Sequence, residues 1–306
     1  MTDAPNGAQR VTWHGVQAIV LESASLRVVV LPGLGARVAS LVDRRTAREW
    51  LQQPRSEVLE PASPAGTRYV DTDHFGWDEM LPTVDPCPFP GEPLPGVELH
   101  DHGAVWSVPW DLVDESSAHC TLRVETRRPD FSLTRRLSLR DTSVRAEYEL
   151  VSRADEPMPT LWAAHPQLVA TGARLRIEPE PSALVDVTAG DQPFEIPYED
   201  GLEVARDVEP GGDRMYYLPP DETFERAVLE IDGGQWLACT ADTTTCRYLG
   251  IWLDHGLRTT GQVVAIEPTT SYYDALDRAV RLGRARHIQP GEVVRWWMEF
   301  ELGGVS

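Results

Sequence analysis

Lysine is absent from this chain of 306 residues. All 28 cationic side chains are therefore arginine, against 48 aspartates and glutamates, and the formal net charge is −20. The absence excludes Schiff-base chemistry on a lysine and a P-loop of the lysine type. The acidic balance predicts no nucleic-acid partner, because a phosphate backbone is bound by a basic surface.

Long apolar runs and paired cysteines are also missing. No stretch of about 18 apolar residues occurs, so we expect no membrane span. The first ten residues are polar and lack the apolar centre of a signal peptide. The four cysteines form no C-x-x-C pair, which favours reduced thiols and a cytoplasmic protein. Neither a G-x-S-x-G nor a G-x-G-x-x-G motif is present.

Strand patterns dominate what the chain does contain. Polar and apolar residues alternate over 121–126, 131–139 and 144–151, which is typical of antiparallel strands with one face packed and one in water. Further strands are predicted between 16 and 42 and from 160 to 302, including 160–164. Only short helices are expected, near 274–280 and 221–226. The sequence predicts one all-β domain over 1–306, with strands stacked as two sheets.

Residues 52–103 form a proline-rich segment without periodicity. A loop of this length inside a compact domain is normally functional or disordered. The aromatic and acidic cluster HFGWDEM at 74–80 indicates that the segment is ordered and lines a site.

Glu267 is the first candidate for chemistry. It follows the apolar run VVAI and precedes Pro268, which favours an extended backbone and a carboxylate at a strand end. Small hydroxyls and two tyrosines come next. Glu-Pro pairs occur six more times, so the dipeptide alone indicates nothing. Glu178, which also follows isoleucine and precedes proline, is expected to be structural.

His165 is presented in the same way, in the run LWAAHPQL. It is either a core histidine bonded to a backbone carbonyl or a general acid near neutral pH.

His100 and His102 form an H-x-H pair. On a strand both imidazoles would share one face, which suits a metal. No acid follows within 104–110, so the pair lacks a further ligand, and a solvated loop histidine remains the alternative for His100.

Taken in order, these residues resemble the galactose mutarotase-like, or aldose 1-epimerase, family over about 15–302. The segments that carry the resemblance are GARVASL at 35–41, GWDEMLPT at 76–83, DHGAVW at 101–106, AHP at 164–166, LGIW at 249–252 and IEP at 266–268.

The resemblance implies a large antiparallel β-supersandwich that interconverts the α and β anomers of a free sugar without a metal or organic cofactor. It makes Glu267 the general base at the anomeric hydroxyl and His165 the general acid at the ring oxygen. His102 and Asp213 would hold the sugar.

Other side chains are candidates for contact with the sugar. Trp77, Trp106 and Trp252 could supply an aromatic face, and Arg37 a cationic contact. The family's arginine–asparagine–arginine signature before the first histidine is absent, which indicates a divergent branch and leaves the sugar open. The local acidic residues favour a neutral sugar. A non-catalytic carbohydrate-binding protein, a metal-dependent sugar isomerase and a glycoside-processing enzyme are the alternatives. The oligomeric state is left open.

Overall fold

A computed structural model of the chain describes residues 8–60, 68–190 and 192–304. About 49% of it is strand and 4% helix, which confirms the all-β class. In chain order the strands are β1 (Gln9–Trp13), β2 (Val16–Glu22), β3 (Leu26–Leu31), β4 (Arg37–Asp43), β5 (Arg48–Glu49), β6 (Trp77–Met80), β7 (Cys87–Pro88), β8 (Glu98–Leu99), β9 (Asp111–Glu115), β10 (His119–Glu125), β11 (Phe131–Arg140), β12 (Ser143–Ser152), β13 (Met158–Thr160), β14 (Ala163–Val169), β15 (Ala173–Glu178), β16 (Ala183–Asp186), β17 (Phe194–Pro197), β18 (Asp213–Tyr217), β19 (Arg226–Ile231), β20 (Trp236–Ala241), β21 (Tyr248–His255), β22 (Gln262–Thr269), β23 (Arg286–Ile288) and β24 (Val293–Gly303). The helices are α1 (Val204–Asp207), α2 (Leu276–Arg281) and a 3-10 turn at Tyr69–Asp71.

Two large antiparallel sheets account for most of these strands. The first has the order β1-β2-β3-β4-β6-β14-β22-β21-β18-β16-β17, with β5 on β4, and the second has the order β15-β19-β20-β24-β12-β11-β10-β9. Two small sheets pair β13 with β23 and β7 with β8. This architecture confirms the predicted antiparallel β-supersandwich.

The core lies between the two large sheets. On β24 every second side chain points into it, from Val294 through Trp296, Met298 and Phe300 to Leu302. Removing each such side chain from water contributes roughly 1.5–3 kcal/mol. The alternation gives the second sheet one packed face and one face toward water.

The central strands of the first sheet are buried on both faces. On β22, Val264 and Ile266 pack in the core, while Glu267 points to the opposite face. Parts of segment 68–103 cover that opposite face. In a site on this face, the sheet therefore forms the floor and the loop forms the walls.

Two predictions about this region need correction. Glu267 and His165 lie within β22 and β14 and not at strand ends, because the sheet continues past Pro268 and Pro166. The predicted strand at 160–164 is divided between β13 and β14.

Segment 52–103 also contains β6, which joins β4 to β14 and was not predicted as a strand. A helix within 274–280 is confirmed in part by α2. The helix predicted at 221–226 is wrong, since those residues lead directly into β19, and α1 was not predicted.

Candidate active site

A cavity of about 320 Å³ opens on the outer face of the first sheet. This volume falls within the range of small-molecule sites. Five predicted site residues line it: Glu267, His165, His102, Asp213 and Trp252. They come from β22, β14, β18, β21 and the segment before β9, so residues far apart in sequence meet at one place.

His165 and Glu267 meet on the floor of the cavity. The Nδ1 atom of His165 lies 2.5 Å from Oε1 of Glu267, and both side chains are buried. An ionised carboxylate only accepts hydrogen bonds, so Nδ1 is the donor. Glu267 Oε2 is buried without a hydrogen-bond partner among the described residues. The pair therefore combines an imidazole and a free carboxylate oxygen on adjacent strands.

An interruption of the sheet permits this contact. β14 and β22 pair at Ala163 with Thr269 and again at Gln167 with Ala265, but not over the three residues between on either strand. Pro166 lies in that interval on β14 and Pro268 lies in it on β22; neither ring carries an N–H for a ladder hydrogen bond. The same register places His165 opposite Glu267.

His102 forms a second imidazole at the site. Its Nδ1 lies 2.9 Å from Oδ1 of Asp101, and its Nε2 has no hydrogen-bond partner within the described ranges. Burial opposes ionisation of Asp101, but the hydrogen bond and charge of His102 outweigh it and lower the pKa of that carboxyl. Asp101 thereby fixes Nδ1 of His102 as the protonated atom, which leaves Nε2 toward the cavity.

The backbone at His102 is unusual and depends on a glycine. His102 has φ +62° and Gly103 has φ +75°. A Cβ atom on Gly103 would lie 2.1 Å from the carbonyl oxygen of Leu81, so only glycine fits this turn. The close approach places His102 against the sheet.

Tyr69 lies at the centre of a cluster of three imidazole rings. Its ring stacks on His102 at 3.6 Å and 8°, and meets His74 and His165 at 4.7 Å and 5.7 Å. Its hydroxyl donates to Asp78 at 2.8 Å and accepts from Gln167 Nε2 at 2.8 Å. Burial, aided by the Asp78 carboxylate, raises the pKa of Tyr69 well above 10. The hydroxyl therefore stays protonated.

Arg37 lies beneath the site and does not line the cavity. Its Nε is 2.6 Å from Oδ1 of Asp78, its Nη1 donates to the carbonyl oxygens of Asp73 and Phe75, and it is only 2% exposed. The guanidinium thus makes its contacts with other groups of the protein. We correct the prediction of a sugar contact: Arg37 supports the carboxylate that holds Tyr69.

Trp77 also lies away from the cavity. It is fully buried and packs edge-to-face against Phe300 of the opposing sheet, 5.3 Å between ring centroids. Successive side chains on a strand point to opposite faces, so Asp78 facing Tyr69 requires Trp77 to face the core. The predicted sugar contact is corrected on this ground. The same alternation sends Glu79 inward.

Glu79 is the centre of a separate polar cluster between the sheets. It accepts hydrogen bonds from Arg135 Nη1 at 2.7 Å, Tyr148 Oη at 2.9 Å and Trp162 Nε1 at 2.8 Å. Burial raises the pKa of Glu79, while the Arg135 charge opposes that shift. The cluster anchors β6 to the second sheet and takes no part in the cavity.

Trp252 and Asp213 also line the cavity. The Trp252 ring lies 5.4 Å from that of His165, and Asp213 Oδ2 lies 3.8 Å from Nε of Arg258. Arg258 belongs to a loop that Asp254 holds through hydrogen bonds from four successive backbone N–H groups, at 2.9–3.2 Å. An aromatic ring and a carboxylate are thus placed on a constrained wall.

His74 completes the cavity and was not predicted as a site residue. It is 6% exposed, and neither ring nitrogen has a hydrogen-bond partner in the described part of the chain. Burial, followed by the charges of His165 and His102, lowers the pKa of His74 to about 3. The imidazole is therefore neutral at physiological pH, with one donor and one acceptor.

A pair of carboxyl groups lies at one side of the cavity. Burial raises the pKa of Asp274 to about 8, and the charge of Asp85 adds to this effect. The ion pair with Arg278 opposes the shift without outweighing it.

The alternative metal site at His100 and His102 finds no support in the geometry. The two residues lie on a turn and not on a strand, and His100 is exposed outside the cavity lining. Within the residues that the structure describes, no group of three or more His, Cys, Asp or Glu side chains is arranged to hold a metal ion. Glu178, the predicted structural counterpart of Glu267, is exposed and lies outside the cavity.

The site residues that were not predicted from the sequence include Tyr69, His74, Asp101, Arg258 and Asp274. Two of them carried a local signal: Asp101 precedes His102 directly, and His74 opens the aromatic cluster at 74–80. The others are placed only by the fold.

Solved structures that resemble this one share its fold at low sequence identity. They include a protein from Synechocystis sp. PCC 6803 with 17% identity, TM-score 0.76 and full coverage of both chains. A galactose mutarotase related enzyme from Lactobacillus acidophilus has 14% identity and TM-score 0.70, covering 94% of this chain and 97% of its own. A galactose mutarotase-like protein from Clostridium acetobutylicum has 13% identity and TM-score 0.71, with 97% and 98% covered.

The chain therefore has the galactose mutarotase-like fold, which is the fold that the sequence resemblance implied. No protein-family model matches the sequence, and no curated protein matches it either. Among the described residues, none of the helices has the length and apolar character needed to cross a bilayer.

Proposed function

We propose that this protein is an aldose 1-epimerase that interconverts the α and β anomers of a neutral free sugar. The observation that carries the proposal is the contact of 2.5 Å between His165 Nδ1 and Glu267 Oε1 on the floor of the cavity. The names of the structural relatives, a galactose mutarotase related enzyme among them, point to the same class.

The reaction needs two proton transfers, one at each of the two oxygens bound to the anomeric carbon. In the ring-closed sugar the anomeric carbon bears a hydroxyl and the ring oxygen. Glu267 Oε2 takes the hydroxyl proton while His165 Nε2 delivers one to the ring oxygen. The bond from the anomeric carbon to the ring oxygen breaks, and the carbonyl of the open chain forms.

Closure reverses both transfers. Rotation about the bond between the first two carbons presents the other carbonyl face to the newly formed hydroxyl. That hydroxyl attacks, His165 takes its proton, and Glu267 returns a proton to the carbonyl oxygen. Acid and base are restored, so the residues consume no co-reactant. Each proton transfer by a positioned side chain contributes about 10²–10⁴-fold.

The lining of the cavity favours a neutral substrate. Five carboxyl groups line it, against the single guanidinium of Arg258 among the described lining residues. Arg258 already lies 3.8 Å from the Asp213 carboxylate. A phosphorylated sugar would bring negative charge into this acidic setting, where like charges repel. Trp252 supplies an aromatic face of the kind that packs on the C–H groups of a sugar ring.

Polarimetry tests the proposal. Freshly dissolved single anomers of several aldohexoses and aldopentoses, and of their phosphate esters, are followed with and without the protein. We expect faster equilibration of at least one neutral aldose and none for the esters. Saturable sugar binding without acceleration would instead indicate a non-catalytic carbohydrate-binding protein.

A further inference from the structure

Four buried polar atoms without a partner belong to residues that line the cavity. They are Nδ1 and Nε2 of His74, Nε2 of His102 and Oε2 of Glu267, each unbonded within residues 8–60, 68–190 and 192–304. The mechanism uses Glu267, and His102 keeps one nitrogen for Asp101. His74 has both ring nitrogens unpaired, although it is 94% buried, and no proposed step uses it.

The position of His74 is fixed by its neighbours. Its ring packs edge-on against Tyr69, 4.7 Å between centroids, and the same tyrosine stacks on His102 and contacts His165. Tyr69 is itself held by Asp78 and Gln167. His74 is thus held beside His165, the proposed general acid, and His102, the predicted sugar contact.

We propose that His74 is a further substrate-binding residue that determines specificity, with its two ring nitrogens hydrogen-bonded to hydroxyl groups of the sugar away from the anomeric carbon. The proposal rests on the proposed function, because it assigns a hydroxyl-recognising role within the same cavity.

The chemistry of a neutral imidazole selects the ligand. It offers one N–H donor and one bare nitrogen acceptor. A hydroxyl group both donates and accepts, so hydroxyls satisfy both nitrogens. A fully ionised phosphate can only accept and an ammonium can only donate, so each leaves one nitrogen unpaired. The pKa of His74, lowered to about 3, keeps the ring in this neutral form across the physiological range.

Equilibrium binding of methyl glycosides tests the role of His74 separately from catalysis, since these compounds have no free anomeric hydroxyl. The probes are the methyl glycosides of glucose, galactose, mannose and xylose, and single-deoxy analogues of the tightest binder, titrated by calorimetry. The variants are His74→Leu, which removes both nitrogens, and His74→Gln, which keeps a donor and an acceptor. Circular dichroism and thermal unfolding verify that both variants fold.

We expect His74→Leu to weaken binding of the parent glycoside about tenfold, as the loss of one or two neutral hydrogen bonds implies, and His74→Gln to recover part of that affinity. For one deoxy position the wild type should lose a similar factor, while His74→Leu should be indifferent to the deletion.

Unchanged affinity in His74→Leu, or equal sensitivity of both proteins at every deoxy position, overturns the inference, because water would then satisfy the nitrogens. Binding of glycosides by wild type without acceleration of any free aldose overturns only the proposed activity. Failure of the wild type to bind any probe overturns the inference, and if no free aldose is accelerated either, the proposed activity is overturned as well.

Discussion

His165 and Glu267 face each other across the one interrupted stretch between β14 and β22, with Nδ1 and Oε1 2.5 Å apart. In the mechanism we propose, the two groups act on oxygens bound to the same carbon and so work as one catalytic unit. Their effects on rate should therefore not be independent.

The first prediction concerns this dependence. His165→Asn and Glu267→Gln should each lower the rate of anomer interconversion by about 10²–10⁴-fold. The double variant should be little worse than the more damaging single one, since residues that act as a unit are non-additive. Polarimetry gives a rate constant for wild type, the two single variants and the double variant, which together form a double-mutant cycle. Multiplicative losses would mean that the two side chains act separately.

The second prediction separates the two tryptophans. Trp252→Ala should raise KM with little change in the free energy of unfolding, because its ring lies at the cavity wall. Trp77→Ala should cost about 3–5 kcal/mol of stability, since it leaves a void between the sheets. Urea unfolding and initial rates on the same preparations measure both. The assignment fails if Trp77→Ala alters KM at full stability.

The third prediction concerns the buried ion pair beneath the site. Arg37→Met leaves the carboxylate of Asp78 buried and uncompensated, so we expect a loss of about 3–5 kcal/mol in the free energy of unfolding. Arg10→Met, which breaks an exposed pair with Glu115, should cost less than about 1 kcal/mol. Asp78→Leu combined with Arg37→Met should recover part of the loss. Equal effects of Arg37 and Arg10 in urea titrations would contradict this account.

The fourth prediction is a dependence of stability on pH through His74. In the unfolded chain a histidine has a pKa near 6.5, whereas in the fold the pKa of His74 is about 3. As pH falls below 6.5 the unfolded state therefore binds a proton that the folded state does not. The free energy of unfolding therefore falls by up to about 1.4 kcal/mol per pH unit, until the pH reaches the pKa of His74 in the folded protein.

His74→Gln removes this term. Relative to its stability near pH 7, wild type should lose about 2 kcal/mol more than the variant near pH 5. Urea titrations at the two pH values give the difference, in which other titrating groups largely cancel. Parallel losses in the two proteins would show that His74 titrates normally in the fold.

Much of the fold was predictable because the alternation of polar and apolar residues within a strand is visible in the local sequence. The alternating segments that became β10, β11 and β12 needed no tertiary information. β6 was missed because WDEM alternates two core-facing side chains, Trp77 and Glu79, with a carboxylate that is satisfied only by Arg37 and Tyr69 from elsewhere in the chain.

The site was predictable where the residue type and its neighbours in sequence suffice. His165 and Glu267 were identified from their position beside strand-forming runs and from the family resemblance. Trp77 was misplaced because sequence shows the period of a strand but not which phase faces the core. His74 was overlooked because the feature that distinguishes it, two ring nitrogens without partners, exists only in the folded protein.

Magnetisation transfer between the anomeric proton signals tests the central claim most directly. One anomer of the aldose selected by polarimetry is saturated, and the loss of signal from the other is measured in the presence of wild type, Glu267→Gln and Glu178→Gln. We predict transfer with wild type and with Glu178→Gln, whose exposed carboxyl is outside the cavity, and transfer at the protein-free level with Glu267→Gln. Undiminished transfer with Glu267→Gln would contradict the assignment of Glu267 as the base.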